Sequence, residues 1–312
     1  MSARAFHRSS TGRTKTVSGN PTVSVVIPAM NEARNLQHVL AALPPDLHQV
    51  ILVDGRSTDD TVSIARRLRH DIEIVHQTRK GKGNALACGF AASTGDIIIM
   101  LDADGSMDPA EMPRFVDALC QGADFAKGSR FIDGGGSSDI SRFRRAGNFW
   151  LNKIVNILYR TCYSDLCYGY NAFWRDCLKV FDLDPTELSG PEVTAMQCGD
   201  GFEVETLINV RIAKAGLKVT EVPSFERERI HGSSNLNAFS DGFRVLRVIQ
   251  TERQQWRRRY PASVSDVSDT PLGVPAEGNP GPELSSRRST RASLRRAVLS
   301  TSAPASSTKE TW

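Results

Sequence analysis

The residues best equipped for chemistry are Asp102 and Asp104, in the run DADGSMDP. Two carboxylates one residue apart at a tight turn can both offer an oxygen to a single hard divalent cation, whose other positions go to diphosphate oxygens and water. Such a cation neutralises the charge that develops on a departing nucleoside diphosphate. A D-x-D alone is a weak signal, because the same residues also make an ordinary surface turn. The calcium loop of an EF-hand is excluded, since Ser106 stands where that pattern needs an acid and no Glu closes the loop. Other polar groups lie in PAMNE (28 to 32), in DGRSTDDT (54 to 61) and in the basic turn Lys80-Gly81-Lys82-Gly83. That turn reads equally as a loop that meets phosphate or as a solvated one. Asp59 and Asp60 read as residues at the start of a helix, where the dipole favours negative charge.

These groups need a frame. The runs TVSVVI, QVILVD, IEIVH, DIIIML and ADFAKGS are short, apolar and largely β-branched, each followed by a polar turn and usually by a helix-like stretch. That pattern predicts an α/β fold with a mostly parallel sheet and flanking crossover helices beginning near Asn31, Thr58, Gly83 and Pro109. In such sheets ligands gather beyond the carboxyl ends of the strands. PAMNE, DGRSTDDT and DADG all fall there. After Gly134 the repetition stops, and a GGGSS loop leads into a mixed segment: helix-like stretches at about 142 to 160 and 202 to 215, the strand-like KVTEVP, and a last helix at about 237 to 256.

Residues 1 to 20 and 258 to 312 are polar, Ser- and Arg-rich or Ser/Pro/Arg-rich, and are expected to be disordered tails around a folded unit of 21 to 257. The run RRSTRASLRRAVL in the second tail reads as a solvated stretch or a short basic helix. The balance of 39 basic and 35 acidic residues is too mild to argue for nucleic acid. The six cysteines form no C-x-x-C pair and read as reduced thiols, which together with the lack of an apolar leader suggests a cytoplasmic protein. No run approaches the ~18 apolar residues that span a bilayer. The stretch FRRAGNFWLNKIVNILYR (143 to 160) reads either as a helix packed on the core or as a basic and aromatic face touching the cytoplasmic side of a membrane.

Taken in order, PAMNE, DGRSTDDT, RKGKGNAL, DADGSMDP, GSRF, DLCYGYNAFWR and RIHGSSNL resemble the family 2 glycosyltransferases, particularly the branch with dolichyl-phosphate and polyprenyl-phosphate mannose or glucose synthases. The resemblance runs from about Val23 to Leu246. It implies a GT-A (Rossmann-like) fold with a mixed acceptor-side segment, an inverting transfer of a hexose from a nucleotide sugar of the GDP-mannose or UDP-glucose type, and Mg2+ or Mn2+. Carried over motif by motif, it implies Pro28, Glu32 and Asp54 beside base and ribose, Lys80 and Lys82 near the diphosphate, and Asp102 and Asp104 on the metal. Arg130 and Arg229 resemble the family's phosphate-binding arginines, whose forked donors suit phosphate oxygens.

Two departures stand out. Ser106 replaces a glutamine that several lipid-phosphate mannose synthases place two residues after the second Asp, and Asn235 replaces the lysine of the last motif. His231 is the residue placed to compensate. Asp165 is the candidate for orienting or activating the acceptor, with Glu203 and Glu205 as rivals that read equally as salt-bridge partners. A polyprenyl phosphate already carries negative charge on its nucleophilic oxygen at neutral pH, so it needs no base; a soluble or cell-envelope saccharide acceptor needs one. The preferred expectation is the lipid phosphate, with the saccharide acceptor as the alternative and an inactive nucleotide-sugar-binding protein as the reading from outside enzymology.

Overall fold

The computed structural model describes residues 20–186, 196–232 and 238–259. The expected tails lie outside these residues, apart from residue 20 and the backbone of residues 258 and 259. Along the chain run β1 (Val23–Ala29), α1 (Ala33–Ala42), β2 (Gln49–Asp54), α2 (Thr61–Leu68), β3 (Glu73–His76), α3 (Lys82–Ala92) and β4 (Ile97–Met100). Then come α4 (Met112–Cys120), β5 (Phe125–Ser129), β6 (Gly136–Ser137), α5 (Arg142–Tyr159), β7 (Asn171–Trp174) and α6 (Leu178–Phe181). The last elements are α7 (Val204–Ala215), β8 (Val219–Pro223), β9 (Phe225–Glu226) and α8 (Ala238–Arg259).

Seven strands form one sheet in the order β3-β2-β1-β4-β7-β5-β8. Strands β1, β2, β3 and β4 pair in parallel, as do β5 and β8. Val25 to Ile27, Val50 to Val53 and Ile97 to Met100 are all essentially inaccessible, so the central strands read as continuous apolar runs rather than alternating ones. Strand β7 was missed in the sequence: it inserts antiparallel between β4 and β5, with Ala172 opposite both Ile99 and Ala126. Four residues, NAFW, with no alternation give little local signal, and the pairing is decided by strands far away in sequence.

Helix α3 packs on β1 and β2, and α4 on β5 and β7. The segment after Gly134 adds a two-stranded ribbon, β6 with β9, and a smaller apolar cluster in which Val155 and Tyr159 of α5 meet Val210 of α7 and Val245 and Ile249 of α8. The helices expected near 142, 202 and 237 are thus present, and they pack on one another around this second cluster.

Candidate functional site

The first two strand ends interlock. Asn31 adopts a left-handed conformation (φ 58°), and its Oδ1 accepts from the Thr58 N–H at 2.8 Å while its own N–H donates to Ser57 Oγ at 3.0 Å. Asp59 joins the helices that follow: it accepts from the N–H of Ala33, the first residue of α1, and from the N–H and hydroxyl of Thr61, the first residue of α2. Burial pushes the Asp59 carboxyl up, but these hydrogen bonds outweigh it and hold the group below the usual carboxylate range. Asp54, nearly buried, accepts from the Ser57 N–H at 3.1 Å and stands 3.3 Å from His76 Nδ1. Pro28 and Ala29 lie in register with Val53 and Asp54, so PAMNE and DGRSTDDT present one surface.

Beside it, carboxylates and cations alternate. Lys82 Nζ lies 2.8 Å from Asp102 Oδ1 and 2.9 Å from Glu205 Oε1. Arg229 donates Nη1 to Glu32 at 2.7 Å and places Nη2 3.1 Å from Asp104 Oδ2. Burial alone disfavours the Lys82 ammonium, yet Asp102 and Glu205 outweigh it and raise its pKa. Glu205 is raised, chiefly by burial, with Lys82 opposing and Asp102 adding to the rise. The other oxygen of Asp104 accepts from Ser106 N at 2.9 Å and Oγ at 2.7 Å, so Ser106 orients Asp104.

The carboxylates outnumber the cations in this cluster, and Asp102 and Asp104 keep partly exposed side chains. Among the described residues no three His, Cys, Asp or Glu side chains gather into a complete metal site. A pair of hard carboxylate oxygens fits a cation of the Mg2+ type, which binds through one or two carboxylates and takes its other ligands from substrate phosphates and water.

The basic turn is held from behind. Arg79 makes a buried two-pronged pair with Asp200, Nε to Oδ2 at 3.0 Å and Nη2 to Oδ1 at 2.8 Å. The Gly83 N–H donates to the Asp200 carbonyl at 2.7 Å, and a Cβ on Gly83 would sit 1.8 Å from the Gly199 carbonyl oxygen, so only glycine fits there. Lys82 therefore points into the cluster whereas Lys80 is exposed. Sequence reasoning gave Arg79, the first residue of RKGKGNAL, no role of its own and missed Asp200. Arg79 adjoins the turn, but its partner lies 121 residues further on and belongs to no motif.

The last motif crosses over DADG. The Arg227 N–H donates to the Ser106 carbonyl at 2.8 Å and the Ile230 N–H to the Asp104 carbonyl at 3.2 Å. Gly105 has φ +79°, and Ile230 lies so close over it that an added Cβ would be 2.5 Å from Ile230 Cδ1. His231 gives its carbonyl to Asn35 at 3.1 Å, while its ring faces His38 at 6.0 Å between centroids. Asn235 lies outside the described residues.

Asp165 and Arg130, expected on the acceptor side, are found on each other. Asp165 is fully buried and accepts from Arg130 Nε at 2.7 Å, Arg130 Nη2 at 2.9 Å, the Arg130 N–H at 3.1 Å and Asn148 Nδ2 at 3.1 Å. Arg130 reaches Glu226 at 3.0 Å and stacks over the Tyr168 ring at 4.7 Å. Neither shares a hydrogen bond or ion pair with Glu32, Asp102, Asp104 or Glu205. A carboxylate with both oxygens committed to buried donors is an anchor for the arginine. Of the rivals, Glu205 joins the cluster, and Glu203 caps the Gly199 and Gly201 N–H groups instead.

The fold is that of GT-A glycosyltransferases. The structure is similar to that of glucosyl-3-phosphoglycerate synthase from Mycobacterium tuberculosis, solved with Mn2+, uridine diphosphate and glucosyl-3-phosphoglycerate, with a TM-score of 0.56 and 22% identity over 75% of this chain and 80% of that one. In sequence the chain is 43% identical over 219 residues to an uncharacterized glycosyltransferase of Mycobacterium tuberculosis, covering 69% of this chain and 89% of the relative. It is 31% identical over 237 residues to the undecaprenyl-phosphate mannosyltransferase of Micrococcus luteus, covering 73% and 93%. The model of "Glycosyl transferase family 2" matches residues 24–180, which carry β1 to β7 and the Asp102–Asp104 pair. The chain belongs to glycosyl transferase family 2 and is a glycosyltransferase.

Proposed function

We propose that this glycosyltransferase moves a hexose, with inversion, from a nucleoside-diphosphate sugar of the GDP-mannose or UDP-glucose type to a polyprenyl phosphate. The observation that carries the donor side is the alternating cluster at the sheet's carboxyl edge, Glu32–Arg229–Asp104 beside Asp102–Lys82–Glu205. Asp102 and Asp104 hold Mg2+ or Mn2+, which when bound supplies charge neutralisation for the leaving diphosphate. Lys82 and Arg229 already converge on the two aspartates and are the cations within reach of diphosphate oxygens; exposed Lys80 lies next to Lys82 on the same turn. Pro28, Glu32 and Asp54 border base and ribose on the surface made by the first two loops.

On the acceptor side, the mannosyltransferase of Micrococcus luteus supports a lipid phosphate by its name and by its match along most of both chains. A phosphate monoester dianion attacks without losing a proton, which accords with a buried, fully bonded Asp165. In this reading Asp165 acts through Arg130, holding the guanidinium, and His231 lies at the rim of the donor site. The phosphate oxygen forms a bond to the anomeric carbon as the bond from that carbon to the diphosphate oxygen breaks, and attack from the opposite face inverts the centre.

The test is transfer by purified protein from radiolabelled GDP-mannose or UDP-glucose to short-chain polyprenyl phosphate or to a saccharide alcohol, with the product anomer assigned by NMR. Label entering the lipid phosphate with inversion is the expected result. Efficient transfer to the alcohol with none to the phosphate would replace the acceptor by a saccharide, and no transfer with any nucleotide sugar would remove the donor assignment.

A further inference from the structure

Helix α5 packs Val155 and Tyr159 on the second apolar cluster, yet it also buries two asparagines and leaves large apolar side chains on its outer side. Its buried stripe is Asn148, Asn152, Val155 and Tyr159. The asparagines are held there by the loop that follows: Asn148 bonds to Asp165 and to the Cys167 N–H, Asn152 to the Ser164 carbonyl at 2.8 Å, and half-buried Asn156 to the Tyr163 carbonyl at 2.8 Å. The outer side carries Phe149, Trp150 and Ile157, which are 54%, 65% and 75% exposed. Spacings of four between Phe149, Lys153 and Ile157 and of seven between Trp150 and Ile157 put them on one face. Contiguous exposure of large apolar side chains marks a surface that something covers. Alongside lies an open groove of about 500 Å³ between Phe149, Lys153 and Ile157 on one side and Tyr163 and Ser164 on the other.

The charge on this helix indicates what covers it. Arg142, Arg144, Arg145 and Lys153 are its ionisable side chains besides Tyr159, and its 18 residues include no acid. Arg144 is paired with Asp139 at 2.9 Å, whereas Arg142, Arg145 and Lys153 are exposed. The Lys153 ammonium lies over the Phe149 ring, 5.4 Å from its centroid, so a cation stands directly on the apolar face. Aromatic side chains rimmed by cations, with no acid among them, match the boundary between headgroups and acyl chains of an anionic bilayer. None of the described helices is long and apolar enough to cross a membrane, so the contact lies in the interface plane.

We propose that the outer face of α5 seats the protein on an anionic phospholipid surface, with Phe149, Trp150 and Ile157 inserted at the headgroup boundary and Arg142, Arg145 and Lys153 against lipid phosphates. This surface does not depend on which acceptor the enzyme uses.

The full chain is sedimented with vesicles of phosphatidylcholine alone or mixed with phosphatidylglycerol, all free of polyprenyl phosphate. Wild type is expected to partition onto the mixed vesicles and to be released by salt. The double substitution Trp150→Glu with Ile157→Glu, at two solvent-facing sites, lowers that partition at least about tenfold. It keeps the far-ultraviolet circular dichroism spectrum and wild-type transfer to a water-soluble short-chain acceptor. Wild type that ignores anionic vesicles overturns the proposal, as does a variant that still partitions like wild type, which would place the contact elsewhere in the chain. A wild-type dimer on gel filtration that the double substitution converts to monomer, with vesicle binding unchanged, assigns the face to a second copy instead. Because the vesicles contain no acceptor, failure here leaves the transferase reading untouched, and failed transfer leaves the partition result standing.

Discussion

Lys82 Nζ stands 2.8 Å from Asp102 Oδ1, at the point where the apolar run of β4 gives way to the DADG turn. A part-buried ammonium is thereby brought to the strand end proposed above for the diphosphate and its cation. Arg229 stands to Asp104 as Lys82 does to Asp102. The aspartates are therefore presented by the sheet and balanced by side chains from two other parts of the chain.

Asp104→Asn is expected to reduce transfer by roughly a hundredfold or more, the scale for removing a main electrostatic stabiliser of a transition state. The fold survives, because the Asp104 side chain is partly exposed and hydrogen-bonded within its own turn. Excess EDTA should reproduce the loss in wild type. Full turnover in metal-free buffer would remove the cation from the reaction.

Asp54→Ala is expected to raise KM for the nucleotide sugar while leaving kcat nearly unchanged, since a contact to base or ribose contributes alike to ground and transition states. Steady-state kinetics with varied donor check this. A collapsed kcat at unchanged KM would move Asp54 into the chemistry.

Arg130→Ala and Asp165→Asn should each destabilise the protein, Arg130→Ala by about 3 to 5 kcal/mol, because it strands a buried charge. Urea denaturation reads the loss. The double variant should cost much less than the sum, as members of one ion pair are not additive. Additive losses would mean that the two residues serve separate ends.

Asp200→Asn should impair transfer and also weaken the fold, since it leaves the buried Arg79 guanidinium without its carboxylate. It weakens the hold on Arg79 and so loosens the turn that aims Lys82, leaving the Asp200 carbonyl to Gly83 in place. A raised donor KM in the protein that remains folded, together with a clear fall in melting temperature, is the expected pattern. Wild-type kinetics in a folded Asp200→Asn protein would show that Lys82 needs no such support.

Asp59 contributes a pH-dependent increment to stability. Its folded pKa lies below the unfolded value because hydrogen bonds from Thr61 and Ala33 outweigh desolvation. The contribution is therefore present above about pH 4 and is lost as pH falls through the depressed folded pKa. Denaturation of Asp59→Asn should run parallel to wild type in acid and fall below it at neutral pH, by no more than about 1 kcal/mol for so exposed a group. A gap that widens toward acid would reverse the sign and refute the assignment.

The sequence by itself determined the strands of the parallel half of the sheet and the edge at which chemistry gathers. Continuous runs such as VILV and IIIM can only be buried on both faces, and a polar turn must follow where such a run ends. PAMNE, DGRSTDDT and DADG were legible for that reason, as was the glycosyltransferase family. Only tertiary structure decided the partners of the buried charges. Arg130 and Asp165 each looked like a group facing substrate, yet they neutralise each other across 35 residues of chain, and Arg79 finds Asp200 across 121. The antiparallel insertion of β7 and the outward-facing aromatics of α5 belong to the same class. Local pattern records how apolar a residue's surroundings must be, whereas the identity of the neighbour that satisfies a buried charge or strand edge depends on how distant segments are brought together.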